Sequence, residues 1–358
     1  MNILILLITQ NIGGVEKRFY NYCSYVLNKN DHKYTVFISN SLISSLGNLM
    51  PIAGNKVIKY GFKWKKKNKM ARYIDYLLLL FAIFRTVHIK FDAVHYVTGS
   101  SLFFYRFLRS RQRVFSCVDS RREMQDKAFT SAIFRKIINL NFSIDCLDNN
   151  IKSRLLYYFP EKVKNIHVSA CTFINYKNTE CNTKDKTHTI CFAGRLEEFK
   201  GIHLLLKILP DIIDKTNFNV VIMGKGSYYK LIEDVIDKFQ LADRVEIGYS
   251  TDLVSVLKKS SVFLSIQKEE NYPSQSLIEA MACKNAIIAT NVGLTKDIVK
   301  NEFGILIPFC EKELLKSVIE LSKNQDALYD MGSKAREFAT TNHNIEKFHN
   351  YLTAIYAK

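Results

Sequence analysis

The 358-residue chain is 47% hydrophobic and 24% charged, which excludes a disordered protein and gives room for two domains of ordinary size. A formal net charge of +17 calls for an anionic partner (nucleic acid, an anionic membrane surface or anionic substrates), although a general richness in Lys, Asn and Ile carries part of it. The eight cysteines are scattered with no C-x-x-C pair, which argues against a zinc site and a disulfide framework, and no run reaches the ~20 apolar residues of a membrane-spanning helix.

Residues MNILILLITQ lack a basic n-region and a small-residue cleavage site, and Ile3–Ile8 reads as a first strand of a parallel sheet. Gly13-Gly14 follows, then a helical pattern through Phe19, Tyr22, Cys23, Val26 and Leu27. Paired glycines at such a junction let the backbone approach a phosphate; a tight turn is the plainer alternative. Tyr34–Ser39 is the next strand. The segment Lys63–Arg72 carries six basic residues and no acid. The apolar run Tyr73–Phe84 after it reads as a core helix; alternatively, a basic loop beside an apolar helix could rest on anionic lipid. Arg106, Arg109, Arg111 and Arg113 (Arg106–Arg113) form a second basic cluster, and no nucleic-acid recognition motif accompanies the charge. Phe91–His95 and Val114–Asp119 are further strands; His95, at a strand's carboxyl end, is placed to reach a ligand or serves as a structural histidine. Phe142–Leu147 and Asn165–Ala170 are short strands, and the polar, aperiodic stretch 175–188 reads as a linker between the halves.

The α/β rhythm then restarts. Strand Thr189–Ala193 leads into Gly194-Arg195-Leu196-Glu197-Glu198-Phe199-Lys200-Gly201 and a helix through Leu204, Leu205, Ile208 and Leu209. Arg offers a planar fork for phosphate oxygens and Lys a mobile point charge, so one loop can bring both to a diphosphate. Strand Val220–Met223 runs into Gly224-Lys225-Gly226, and Val245–Tyr249 follows. Val262–Ile266 is a buried strand, then come Glu269 and Glu270, and a helix expected to be capped by the Ser274 hydroxyl and to end in a left-handed Asn285. Its first turn, with Ser276 and Leu277, suits an anion, and Glu279, one turn in, suits ligand hydroxyls. Taken alone, these acids would be solvated carboxylates around a turn. Ala286–Thr290 and Gly304–Ile307 are the last strands, and Ile345, Phe348, Leu352 and Ile355 mark one face of a terminal helix.

The motifs Gly194-Arg195-Leu196…Lys200-Gly201 and Glu279-Ala280-Met281-Ala282 resemble glycosyltransferase family 4, retaining enzymes that use nucleotide-sugar donors. That family has an acid, seven intervening residues and a second acid; here the count back from Glu279 lands on Asn271, and Glu270 lies one position earlier, with Glu269 the other candidate. Lys284 stands where the family has Gly, and Val97 and Val118 where it commonly has His. The resemblance implies an α/β GT-B fold, two Rossmann-like domains facing across a cleft. Their expected extents are an acceptor-side domain over 1–174, completed by a C-terminal helix at 341–358, the linker, and a nucleotide-sugar domain over 189–340. It also implies Arg195 and Lys200 on the donor diphosphate, Glu270 and His95 near the donor sugar, and Glu279 on the ribose. Gly13, Gly14, Gly194, Gly224, Gly226, Ser274, Ser276 and Leu277 would frame the donor. No metal and no cofactor are expected, the nucleotide sugar being a substrate. The expected activity is transfer of a hexose-type sugar, from UDP by preference, to a saccharide or lipid-linked saccharide in bacterial surface-polysaccharide assembly. The chain would be cytoplasmic or peripheral on the inner face of the plasma membrane through its two basic clusters. A nucleotide-sugar 2-epimerase and a non-catalytic nucleotide-sugar-binding protein are the alternatives.

Overall fold

Apolar runs without polar alternation form strands covered on both faces, and in the computed structural model they build two wholly parallel sheets, one in each of two units. The structure describes residues 1–9, 14–62, 69–117, 126–128, 130–169, 171–174, 176–250, 252–270, 272 and 274–358. The first unit comprises Met1–Thr172 with Ile345–Lys358, and the second Phe173–Asn344.

The strands of the first unit are β1 (Asn2–Leu7), β2 (Lys33–Ser39), β3 (Lys56–Tyr60), β4 (Lys90–Tyr96), β5 (Arg109–Cys117), β6 (Ser143–Cys146) and β7 (Ile166–Val168). They lie in the order β3-β2-β1-β4-β5-β6-β7, so the chain reverses its direction of travel between β1 and β4. Leu4, Leu6, Phe37, Val94, Phe142 and Ile144 belong to the core of this unit. The terminal helix Ile345–Tyr356 buries Phe348, Leu352, Ile355 and Tyr356 and counts with this unit, whereas the preceding helix, Gln325–Asn342, stays with the second. The handover therefore falls at Ile345, where one apolar face ends and another begins.

The second unit has β8 (Thr189–Ala193), β9 (Asn219–Met223), β10 (Val245–Gly248), β11 (Val262–Ser265), β12 (Ala286–Thr290) and β13 (Gly304–Ile307), in the order β10-β9-β8-β11-β12-β13. Successive strand residues face opposite sides of a sheet. Accordingly Ile190 and Phe192 join one core cluster with Leu205, Leu209 and Ile222, while Cys191 joins another with Phe263, Ile278 and Met281. Helix Ile202–Lys215 is held by Leu204, Leu205, Ile208, Leu209 and Ile212, all buried at helical spacing. Truncating one of these leucines to alanine would cost about 3 kcal/mol.

Two expectations need correction. Residues 176–188 do not stand apart as a linker: they count with the second unit, which bonds several of their polar groups. The Tyr176 hydroxyl donates to the carbonyls of Ala339 (2.9 Å) and His343 (2.8 Å). Arg336 donates to the Thr179 carbonyl, and the buried Lys186 amine donates to the carbonyls of Leu257 and Ser260. Its polarity combines exposed side chains, such as Lys177, Asn178 and Lys184, with groups bonded into the unit. Nor is the helix Lys69–Phe84 simply a core helix: Leu79 and Ile83 are buried in it, but Tyr73, Leu77, Phe81 and Phe84 are exposed. Of the basic clusters, 63–68 lie outside the described residues, and Arg109, Arg111 and Arg113 sit within β5.

Candidate active site

In an open α/β sheet a ligand crevice forms where strand order reverses, at the carboxyl ends. In the second unit that point lies between β8 and β11. The loop after β8 is locked to the loop after β9 backbone to backbone. Gly194 N–H donates to the Met223 carbonyl at 3.0 Å and Leu196 N–H to the Lys225 carbonyl at 2.9 Å. A Cβ on Gly224 would lie 1.9 Å from the Gly194 carbonyl oxygen, and one on Gly226 would lie 2.3 Å from that of Leu196. Gly224 and Gly226 are thus needed for the two loops to touch, whereas a Cβ on Gly194 would meet no atom within 4 Å. Glu197 ties the same loops by accepting from Ser227 N–H (2.9 Å) and Oγ–H (2.6 Å), bonds that hold its carboxyl below the usual carboxylate range.

The chain then makes a turn, Glu198–Lys200, closed by Gly201 at φ +77°, where a Cβ would sit 1.8 Å from the Ile266 carbonyl oxygen. Lys268 N–H donates to the Phe199 carbonyl at 3.0 Å, fixing this turn to the chain leaving β11. The Phe199 ring carries both cations: the Arg195 guanidinium lies 4.6 Å and the Lys200 amine 5.7 Å from its centroid. Burial, and after it the Arg195 charge, push Lys200 down to about 8. Among the described residues, neither cation forms an ion pair with a carboxylate. Glu197 feels the Arg195 charge, but its hydrogen bonds go to Ser227, and two like charges without an ion-pair partner suit an anion.

Across the switch point, Glu270 Oε1 accepts the Leu294 N–H at 2.9 Å, and a Cβ on Gly293 (φ +52°) would lie 2.4 Å from the Glu270 side chain. Glu270 is therefore seated against the chain leaving β12; Asn271 and Pro273 lie outside the described residues. Helix Gln275–Ala282 starts at Ser274, but the Ser274 hydroxyl makes no capping bond and instead lies 3.3 Å from Ser276 Oγ. Ile278 N–H donates to the Ser274 carbonyl at 3.2 Å, so the amides of Gln275, Ser276 and Leu277 precede the first intrahelical bond. Glu279 is half-buried one turn further on. At the other end Lys284, not Asn285, takes the left-handed conformation (φ +57°), while Asn285 is buried and donates to the carbonyls of Leu257 and Ala280.

The first unit departs from expectation. Gly13 and Val118 lie outside the described residues, and Gly14 opens the helix Gly14–Leu27. His95 is fully buried, with Ser116 Oγ 2.9 Å from Nε2 and the Tyr356 hydroxyl 2.7 Å from Nδ1. Ser116 donates to Asp145 at 2.8 Å, so His95 donates through Nε2 and accepts from Tyr356 at Nδ1. Burial, then Arg18, push its pKa down to about 3. Such a histidine has the geometry of the structural alternative, neutral and with both ring nitrogens occupied within the core. Asp145 is buried as well, raised by desolvation against the opposing effects of Arg18, Tyr351 and Ser116. An acid inside the apolar strand Ser-Ile-Asp-Cys was the sequence signal for this network. Phe199 and Gly293 had no such signal.

The family "Glycosyl transferases group 1" matches residues 177–338. Within the matched segment, which lies in the second unit, are the Arg195–Lys200 turn, Glu270 and the helix from Gln275. An uncharacterized glycosyltransferase of Methanocaldococcus jannaschii is 27% identical over 202 residues, 55% of this chain and 54% of that protein. A human protein of the phosphatidylinositol N-acetylglucosaminyltransferase is 30% identical over 164 residues, 44% of this chain and 32% of that protein. The chain thus spans about half the first relative's length and less of the second. Anabaena HepE, solved in complex with UDP, has TM-score 0.73 at 14% identity, covering 99% of both chains. With two parallel Rossmann-like sheets, the chain has the GT-B fold.

Proposed function

We propose that this protein is a retaining glycosyltransferase that moves a hexose-type sugar from a nucleotide diphosphate, UDP by preference, to a saccharide or lipid-linked saccharide. The observation that carries the reading is the Arg195–Lys200 pair, two cations on one aromatic ring, neither in an ion pair with a carboxylate among the described residues. In transfer, the bond from the sugar's anomeric carbon to the diphosphate breaks and negative charge grows on the departing β-phosphate. Arg195 and Lys200 would hold that charge, an interaction stronger in the transition state than before it. The leading amides of helix Gln275–Ala282 would add dipolar support. Glu279 would accept from ribose hydroxyls and Glu270 would orient the donor sugar.

The UDP complex of the similarly folded Anabaena protein supports a UDP donor. The phosphatidylinositol acceptor named for the human relative supports a lipid-linked one. A place in bacterial surface-polysaccharide assembly, on the inner face of the plasma membrane, agrees with the basic first half. The burial of His95 favours a second reading, a nucleotide-sugar-binding protein without transfer.

A thermal-shift panel of UDP-, GDP- and ADP-sugars tests the donor site. A ligand at a hundred times its Kd adds about 2.7 kcal/mol of apparent stability. A shift with none of them at millimolar ligand refutes the donor assignment. Binding without product from any saccharide or lipid acceptor supports the second reading, and a 2-epimerised sugar nucleotide formed without acceptor would identify an epimerase.

A further inference from the structure

Helix Lys69–Phe84 is apolar on opposite faces. Such a helix is ordinarily enclosed, yet Tyr73 is 72% exposed, Leu77 65%, Phe81 61% and Phe84 58%. These positions recur every three or four residues and share one stripe, opposite Leu79 and Ile83 in the core. Phe107, whose ring lies 5.7 Å from that of Phe84, continues the patch beyond the helix, and Phe103 is 66% exposed. The Arg85 guanidinium lies 4.7 Å over the Phe81 ring, Arg106, Arg109 and Arg111 are exposed, and Lys90 stands beside Arg109 in the β4–β5 register. The carboxylates between residues 69 and 117 are Asp75, buried and bonded to Phe62 N–H, and Asp92, which accepts from Asn2 N–H.

We propose that this face docks on an anionic phospholipid bilayer. Aromatic and leucine side chains would enter the headgroup boundary, and the arginines would meet lipid phosphates with their stems along the apolar surface. The excess of cations, with Asp92 the one exposed carboxylate between residues 69 and 117 and that one bonded to Asn2 N–H, argues for an anionic lipid surface over a protein partner of mixed charge. This deepens the membrane partner of the proposed function, and lipid binding is measured without turnover, so either idea can fail alone.

The test is flotation of the full chain with phosphatidylcholine vesicles, with and without about a quarter phosphatidylglycerol. The native chain should partition onto the anionic vesicles. Leu77→Glu/Phe81→Glu should weaken this at least about tenfold, and Arg109→Glu/Arg111→Glu about tenfold or more. Both variants should keep the native unfolding curve and the UDP-induced shift. Absence of native binding, or double variants that bind as the native chain does, would overturn the proposal. So would a dimer without lipid affinity that Leu77→Glu/Phe81→Glu dissociates, which would assign the face to a second copy.

Discussion

The two sheets end in opposite ways. At the carboxyl ends of β4, β5 and β6, His95, Ser116 and Asp145 are buried and answered by Tyr356 and Tyr351 of the chain's own terminal helix, with Arg18 close by. At the carboxyl end of β8, Arg195 and Lys200 lie against Phe199 and form no ion pair among the described residues. A strand end is where side chains converge, but convergence alone does not make a site. Where the protein supplies every partner, the result is a clamp; where it withholds one, the result is a place for a ligand.

The sharpest way to break this comparison is to remove a cation. Arg195→Ala or Lys200→Ala should lower kcat by about 10²–10³, about 3–4 kcal/mol, with the melting temperature nearly unchanged; activity within a fewfold of the native chain would place the diphosphate elsewhere. On the other side, Asp145→Ala should cost about 3 kcal/mol in urea unfolding, because it leaves Ser116 and Tyr351 unanswered beside Arg18. His95→Asn should also lower stability, while kcat of the folded protein stays within about threefold, an amount small against the effect of a lost catalytic group. A hundredfold loss of kcat would restore His95 to the chemistry.

Gly226→Ala tests whether the loops must touch: its Cβ would meet backbone, so a loss of about 2 kcal/mol and weaker UDP binding should appear together. Lys200 supplies a pH signature. Its amine, pushed down to about 8, is cationic below that value and neutral above it. UDP affinity by calorimetry should therefore fall about tenfold from about pH 7 to 9.5 as the charge-assisted bond is lost, and proton uptake on binding should grow over the same window. Lys200→Arg should flatten the profile. The smallest effect belongs to Lys284→Gly, where relief of the left-handed lysine (φ +57°) should raise stability by about 0.5–1 kcal/mol.

The alternation of apolar runs with helical periods determined, from sequence alone, that the chain forms parallel α/β sheets, because a strand buried on both faces must be written as an unbroken apolar run. The Gly-Arg…Lys-Gly and Glu-Ala-Met-Ala patterns marked the loops of the candidate site for a related reason: a loop and the helix it opens are local, so their chemistry is written in adjacent residues. Which strand end stays open is not local. His95 reads as a ligand contact until Tyr356, 261 residues away, is seen to fill its ring nitrogen. Stretch 175–188 reads as a linker until Ala339, His343 and Arg336 are found bonded to it. The apolar run 73–84 reads as core until one of its faces is found exposed. In each case the deciding partner is distant along the chain, and only the folded structure brings it near or leaves it out.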